Sequence, residues 1–495
     1  MAPTLLPDGL SSGEPREGAR CATAARPWVL AATILASAMA FIDGSVVNIA
    51  LPVLQRDLGA SFIAVQWVVS AYTLLFAALL LVGGAAGDRF GRRKVFVVGI
   101  VVFALASLAC AAAPGIEALI AARVGQGIGA ALLVPQSLAI LSAAFPPEIR
   151  GRAIGTWASA ASITTALGPA VGGFLIDGLG WRAAFWINLP LAAAAVFLTF
   201  RHVPESRSET RGPLDWRGAV LAVLAAALLT GGLTGLAEPG GRLVSTAALV
   251  SGVLATAAFI RTERRAAAPL VPLGLFADRA FTGANLLTVA LYGALSGILF
   301  LLPFDLIGRR GLSPGEVGLV LLPLGLIIGV FARPMGDLAD RRGPRRFLAA
   351  GSALVALSAV WLMLSPPGLV AGILAPIVLL GSGMALVVAP VTTVVMNAAP
   401  DSAAGAASGI NNAASRFAGL FAIVVVSAIA ASVFAAGGGA GARFGVFPPP
   451  GDPSAENVRQ AFAIAWIAAM AANALLATAA AFIAWRIPSS PRAPA

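Results

Sequence analysis

Charge is what this chain has least of. Only 11% of its 495 residues are charged, against a hydrophobic fraction of 59% and a mean hydropathy of +0.90. A soluble domain carries about 25% charged residues, so a water-soluble fold is excluded and the chain must cross lipid repeatedly. Lysine is nearly absent, with Lys94 standing alone between Arg93 and Val95. No Gly-x-x-x-x-Gly-Lys-Ser/Thr phosphate loop can therefore be written, which excludes ATP as the direct energy source. Two cysteines, Cys21 in a polar tail and Cys110 in an apolar run, offer no disulfide and no metal site. Histidine occurs once, as His202 at a helix end, a poor position for a central proton carrier. Aromatic residues make up 7% and do not interleave with basic ones, so nucleic acid is not an expected partner. The net charge of +11 is then topological. Its almost purely arginine make-up, with the heavy Ala and Gly usage, reflects genomic base composition. Residues 1–26 hold Pro, Glu and Arg but no apolar core before a cleavage site, which reads as a disordered tail rather than a signal peptide.

What the chain does have is long apolar runs. A bilayer-spanning helix needs roughly 20 apolar residues. Fourteen segments meet that requirement, near 28–50, 62–83, 95–113, 117–143, 153–176, 183–201, 217–237, 244–262, 281–303, 315–333, 347–364, 369–395, 405–434 and 460–485. Alternate loops are rich in basic residues: Arg89, Arg92, Arg93 and Lys94; Arg150 and Arg152; Arg201, Arg207 and Arg211. The same set continues with Arg261, Arg264, Arg265 and Arg279, then Arg341, Arg342, Arg345 and Arg346. The other set offers Arg56, Arg182, Arg242, Arg309, Arg310 and Arg443. This bias predicts a multi-pass inner-membrane protein with both termini cytoplasmic.

One motif occurs twice. Gly84-x-x-x-Asp88-Arg89-x-Gly91-Arg92-Arg93 joins the second and third segments, and Gly336-x-Leu338-Ala339-Asp340-Arg341-x-Gly343-x-Arg345 joins the tenth and eleventh. Parallel repeats of this kind build one major class of secondary transporter. A second echo agrees: Gly127-x-Gly129-x-Ala131 before Pro135 in segment 4 resembles Gly381-x-Gly383-x-Ala385 before Pro390 in segment 12. The expected organisation is a cytoplasmic tail (1–26), a six-helix bundle (27–200), a cytoplasmic linker (201–216), two inserted helices (217–265), a second six-helix bundle (280–486) and a tail (487–495). One long outer loop, 435–458, is rich in Gly and Pro and is expected to be mobile. In each repeated turn the glycine supplies a backbone conformation that other residues resist, and the arginines stay at the anionic inner leaflet. Asp88 and Asp340 are placed near helix amino termini, where the dipole favours a carboxylate. A plain positive-inside anchor would explain the arginines but not the Gly and Asp spacing.

Inside the apolar runs a few residues stand out. Asp43 lies about two-thirds of the way along segment 1, where a charged carboxylate costs ~3 kcal/mol. It is placed to exchange protons with an aqueous cavity; the alternative is a neutral acid bonding to helix ends. Arg123 is too deep in segment 4 for an anchor and needs an interior partner. Gly168 and Gly172 form a smooth stripe on segment 5 beside Pro169, with Gly173 next to it: a bent, close-packed seam, either moving or static. The polar candidates for a cavity lining are Gln66, Ser70, Tyr72, Thr73, Gln136, Asn285, Tyr292, Asn411 and Asn412, each of which could equally be helix packing. Arg416, beside Asn411 and Asn412, reads as a snorkelling anchor at the inner end of segment 13.

Together these motifs resemble the major facilitator superfamily, in particular its fourteen-helix drug:proton antiporters. The resemblance covers residues 27 to 486 and rests on several further patterns. Leu119-x-x-x-Arg123-x-x-Gln126-Gly127-x-Gly129 is in segment 4, and Gly168-Pro169-x-x-Gly172-Gly173, which marks antiporters in that family, is in segment 5. Asp43-Gly44-Ser45-Val46-Val47-Asn48 with Pro52 resembles the signature of the fourteen-helix group. Gln66-Trp67 with Tyr72, and Trp181-Arg182 to Asn188-Leu189-Pro190, agree. Thr164 departs from the pattern, which opens with a glycine there. Phe304-Asp305-Leu306-Ile307 stands where the family has an aromatic-Leu-Gln stretch, so Asp305 is either a second cavity carboxylate or an outer-loop acid.

The resemblance implies an all-α fold of two six-helix bundles plus two inserted helices, exporting amphipathic organic compounds or drugs by alternating access. It implies no cofactor beyond the proton as coupling ion, with Arg123 either sharing in the coupling or serving as a structural partner; on the reading of the residues above, Asp43 carries the proton and, when charged, favours cationic or polar ligands. By family analogy a periplasmic adaptor is a further partner. The alternatives are a metabolite exporter or symporter on the same scaffold, and a transport-inactive membrane receptor.

Overall fold

Side-chain caps open several of the helices. In the computed structural model, which describes residues 23–207, 215–236, 241–266, 269–364, 368–400, 403–439, 441–449 and 451–488, fourteen helices are long and apolar enough to cross a membrane. They are α1 (Arg26–Asp57), α2 (Phe62–Phe90), α3 (Arg92–Ala111), α4 (Ile116–Ala144), α5 (Pro147–Leu179), α6 (Ala183–His202) and α7 (Trp216–Gly235). The series continues with α8 (Arg242–Glu263), α9 (Arg279–Arg309), α10 (Pro314–Arg342), α11 (Pro344–Leu364), α12 (Val370–Asn397), α13 (Ala404–Gly439) and α14 (Ala455–Arg486). The expectations for Cys21, for Arg211 and linker residues 208–214, and for 489–495 lie outside the described residues. Ser61 caps α2 by accepting from the Ala64 amide, Asp278 accepts from Ala280 and Phe281 to open α9, and Ser313 with Glu316 forms a capping box on α10. Gly91 at φ 112° and Gly343 at φ 85° reverse the chain in the two repeated turns.

The packing repeats as the sequence does. In the amino-terminal bundle α4 packs on α2 and α3, and α1 packs on α5 and α6. In the carboxyl-terminal bundle α12 packs on α10 and α11, and α9 packs on α13 and α14. The glycine echo sits at equivalent places: Gly127 and Gly129 meet α2 and α3, while Gly381 and Gly383 meet α10 and α11. A side chain at any of these would separate helix backbones that touch. Two seams join the bundles, α5 with α10 and α2 with α13. The inserted pair α7 and α8 pack on one another, and α7 leans on α2 and α13.

The bundles are shut at the face opposite the arginine-rich loops. Phe62, Phe300, Phe304, Phe444 and Phe462 form a continuous aromatic plug, with Phe62 and Phe444 ring centroids 4.5 Å apart. Gln55 Nε2 donates to the Phe444 carbonyl at 3.1 Å. Asp177 at the end of α5 accepts from Ser313 Oγ (2.9 Å) and from the Gly315 amide (2.8 Å). The expectation of a mobile outer loop is therefore corrected around Phe444, which is 4% exposed and inserted between the bundles because burying a phenylalanine ring outweighs local Gly and Pro freedom.

Along the α5–α10 seam, Gly173 abuts the Pro314 carbonyl and Gly315, Gly318 abuts Pro169, and Gly325 abuts Ala166. Substituting Gly173→Leu should overpack this seam by about 1–3 kcal/mol and lower the thermal unfolding midpoint of purified protein. Gly178→Leu, where an added Cβ meets nothing within 4 Å, should leave it unchanged. Equal shifts for the two would mean that α5 does not press on α10.

Candidate functional site

Asp43 sits near the middle of the 32-residue α1 rather than toward its outer end, because the helix runs on to Asp57. Its carboxylate is fully buried and both oxygens are engaged. Arg123 Nη1 donates to Oδ2 at 2.5 Å, and Gln126 Nε2 donates to Oδ1 at 3.0 Å. Arg123 Nε also donates to the Val68 carbonyl of α2 at 2.9 Å, and Nη1 to Gln126 Oε1 at 2.7 Å. Gln126 lies one turn beyond Arg123, so both present the same face of α4. Its amide reaches on to Ser107 Oγ of α3 (2.7 Å), which also accepts from Asn188 Nδ2 of α6 (3.2 Å). The Arg123 guanidinium lies 4.3 Å from the Tyr72 ring centroid and 5.9 Å from that of Phe185. Five helices of one bundle thus converge on a single ion pair.

A cavity of about 550 Å³ lies between the bundles. Its wall runs from Asn48 and Leu299 beneath the aromatic plug to Met396 and Ser408 near the arginine-rich face. Arg123 and Tyr72 form part of that wall, and Asp43 lies just behind it, between the lining positions Phe41, Gly44 and Ser45. Of the residues expected to line a cavity, Tyr72, Thr73, Tyr292, Asn411 and Asn412 do so. Asn285 stands behind the wall, accepting from Asn411 Nδ2 at 3.2 Å. Gln66, Ser70 and Gln136 do not line it: Gln66 donates to Thr234 of α7, Gln136 donates to the Gly83 carbonyl at 2.7 Å, and Ser70 is buried within the bundle. Gln66 and Gln136 thus spend their amide N–H groups on neighbouring helices, whereas the Ser70 hydroxyl is buried without a hydrogen-bond partner among the described residues.

Sequence reasoning missed Ser45, Asn48, Thr165, Ser296, Thr392, Ser408 and Ser415. The signal was present on α13, where Ser408, Asn411, Asn412, Ser415 and Arg416 recur at helical spacing as a polar stripe. Arg416 is a correction: it lines the cavity and lies 3.7 Å from the Phe76 ring centroid, rather than snorkelling. Twelve residues into α13, it is about 18 Å from the helix start at 1.5 Å per residue, beyond an anchor's reach.

The helix-5 motif has two faces. Gly168 and Gly172 abut Ser45 and Val46 of α1, just past Asp43, while Pro169 and Gly173 meet α10 of the other bundle. In the first turn Asp88 pairs with Arg92 at 2.8 Å, and Arg92 also reaches the Ala139 carbonyl of α4 at 3.4 Å. The carboxylate on the amino terminus of α3 is Glu205 of the linker, not Asp88: it accepts from the Arg93 and Lys94 amides at 3.1 and 3.3 Å. Gly84 of α2 packs near Pro135 of α4, and Gly336 of α10 near Ala389 of α12, each two helices further along the chain in the same bundle. In the second turn Asp340 and Arg341 are exposed, and a Cβ at Gly343 would meet nothing within 4 Å. Arg89 is exposed beside Phe90. Asp305 is neither a cavity carboxylate nor a loop acid. It is fully buried at the π-helical end of α9, paired with Arg309 and, at 2.9 Å, with Arg310.

Comparison with known proteins fits this architecture. The chain is 37% identical over 386 residues to the multidrug resistance protein Stp of Mycobacterium tuberculosis, covering 78% of this chain and 72% of that one. It is 36% identical over 412 residues to the tetracenomycin C resistance and export protein of Streptomyces glaucescens, covering 82% and 76%. The drug efflux pump JefA of M. tuberculosis is 33% identical over 411 residues, covering 81% and 80%. Among solved structures, a bacterial homologue of the human lysosomal transporter Spinster superposes with a TM-score of 0.70 at 18% identity, covering 94% and 98%. The Major Facilitator Superfamily model matches residues 33–423, and with these relatives it shows that the chain belongs to that family of membrane transporters.

Proposed function

We propose that this protein exports amphipathic organic compounds across the inner membrane in exchange for protons, with the arginine-rich face in the cytoplasm. The observation that carries the reading is the buried Asp43–Arg123–Gln126 constellation, which meets the wall of a cavity through Arg123, the cavity extending toward that face. The names of the relatives, a multidrug resistance protein and an antibiotic export protein, support the export direction.

The coupling follows from what the ion pair holds. With Asp43 charged, Arg123 is clamped to α1 and α2, and the wall made by Arg123 and Tyr72 keeps its shape for substrate. A proton entering from outside neutralises Asp43 and removes the Coulomb attraction, so α1 is untied from α4 and the wall loosens. Substrate and proton then favour different states of one wall, which is the condition for antiport. The two halves, 27–200 and 280–486, rock on the α5–α10 and α2–α13 seams, with 201–216 as linker and 217–265 as an inserted pair. A transport-inactive receptor would have no need for a buried charge pair beside a polar cavity.

In proteoliposomes with an imposed pH gradient, Asp43→Asn should abolish uphill accumulation of a transported dye while passive equilibration persists, because the amide matches the acid in size yet cannot carry the proton. Asp305→Asn should retain gradient-driven accumulation. If Asp43→Asn still concentrates substrate, the coupling site lies elsewhere. Arg123→Lys keeps the charge but loses the planar fork that serves Asp43, Gln126 and Val68 together. It should lower uphill transport by roughly tenfold or more, one to two charge-assisted hydrogen bonds being lost. Transport at the wild-type rate would remove the clamping role assigned to Arg123.

A further inference from the structure

The cavity wall contains two guanidiniums, Arg123 and Arg416, and among the described residues no carboxylate. Arg123 is spent on Asp43, whose two oxygens are both taken. Arg416 is different. It stands on α13, in the opposite bundle, and among the described residues it makes no ion pair and no hydrogen bond, its Nε being buried without a partner. Phe76 of α2 underlies the guanidinium at 3.7 Å and leaves its edge to the cavity. A planar fork stacked on a ring is pre-organised for a bidentate acceptor. The same wall includes the aromatic side chains Phe41, Tyr72 and Tyr292.

We propose, resting on the export reading above, that the transported compounds are flat aromatic molecules bearing a carboxylate or phenolate, and that Arg416 binds that oxyanion. The expected preference of a charged Asp43 for cationic ligands is thereby replaced. Asp43 is neutralised behind the wall, so the charge a ligand meets is positive. A cavity of about 550 Å³ falls in the range of drug-sized ligand sites, roughly 300–1,000 Å³, and accommodates a polycyclic ring system. The oxyanion would satisfy the one cation in the wall that lacks a partner, whereas a cationic drug would add a third positive charge with no acid to meet it.

Two xanthene dyes of matched size and opposite charge test this. Fluorescein carries a carboxylate and a phenolate at pH 8, whereas rhodamine 123 is an esterified cation. Fluorescence polarisation with the purified full-length protein in nanodiscs, corrected against empty nanodiscs, gives equilibrium affinities for both. Wild type should bind fluorescein at least about tenfold more tightly than rhodamine 123, the scale of one charge-assisted hydrogen-bonded contact. Arg416→Gln should lose about tenfold for fluorescein and stay within about twofold for rhodamine 123. Arg416→Lys should keep part of the preference, and Arg416→Glu should invert it. A wild type that binds rhodamine 123 as well as fluorescein overturns the assignment, even if every variant fails to fold. Unchanged fluorescein binding by a folded Arg416→Gln, checked by thermal melt, overturns it as well. Equilibrium binding needs neither gradient nor turnover, so loss of coupled export with the dye preference intact would count against proton-driven export alone. Coupled export with a preference for rhodamine 123 would count against the ligand class alone.

Discussion

A carboxylate and a guanidinium held away from water on neighbouring helices constrain each other. Neither is tolerable alone: truncating one partner of a buried pair costs about 3–5 kcal/mol, because the other charge is left uncompensated. Asp43 and Arg123 therefore set the distance between α1 and α4, and through Val68, Ser107 and Asn188 the placement of α2, α3 and α6. The rest of the amino-terminal bundle is built to allow that approach. Gly168 and Gly172 bring α5 against α1 at Ser45 and Val46, two and three residues past Asp43, and Gly127 brings α4 against α2 one turn beyond Arg123. In the exchange proposed above, a proton on Asp43 removes the one attraction on which five helices agree.

The two bundles share a packing plan but divide the chemistry. The amino-terminal half holds the buried ion pair, with a hydrogen-bond chain that satisfies both carboxylate oxygens. The carboxyl-terminal half instead presents Arg416 and a stripe of serines and asparagines on α13, the counterpart of α5, to the cavity. The repeated turns divide in the same way. Glu205 clamps the first to the linker, whereas the second is exposed. Duplication explains the common glycines, and the divergence lies in the polar residues. This division matches the roles proposed above, in which the first half senses the coupling ion and the second meets the ligand.

The helix-5 motif shows how a seam between bundles coexists with a seam inside one. Because α-helical residues one apart are separated by 100°, Gly168 and Gly172 face α1 while Pro169 and Gly173 face α10. The helix is thus gripped on one side by the element that carries Asp43 and on the other by the opposing bundle. A change in α1 has a direct mechanical route to the bundle interface, without an intervening loop.

Much of this was legible from one sequence. Fourteen apolar runs at spanning length, the arginine bias of alternate loops and the twice-written turn determined the class, the helix count and the two-fold plan, because lipid forbids unpaired backbone groups and isolated charges whatever the tertiary arrangement. That Arg123 needed an interior partner was equally forced. Tertiary structure alone decided which residues meet across helices. Gln136 and Asn411 are both amides in apolar helices, and nothing local to either says that one bonds a neighbouring backbone while the other faces a cavity. Arg416 looked like an anchor until its depth along α13 and its stacking on Phe76 were seen. Asp305 could not be placed because its burial is set by the packing of α9, and its second partner Arg310, five residues on, comes into reach where the end of α9 widens into a π-turn. Burial cost is set by residue type and can be read along a chain, whereas the partner that relieves it is set by packing in three dimensions.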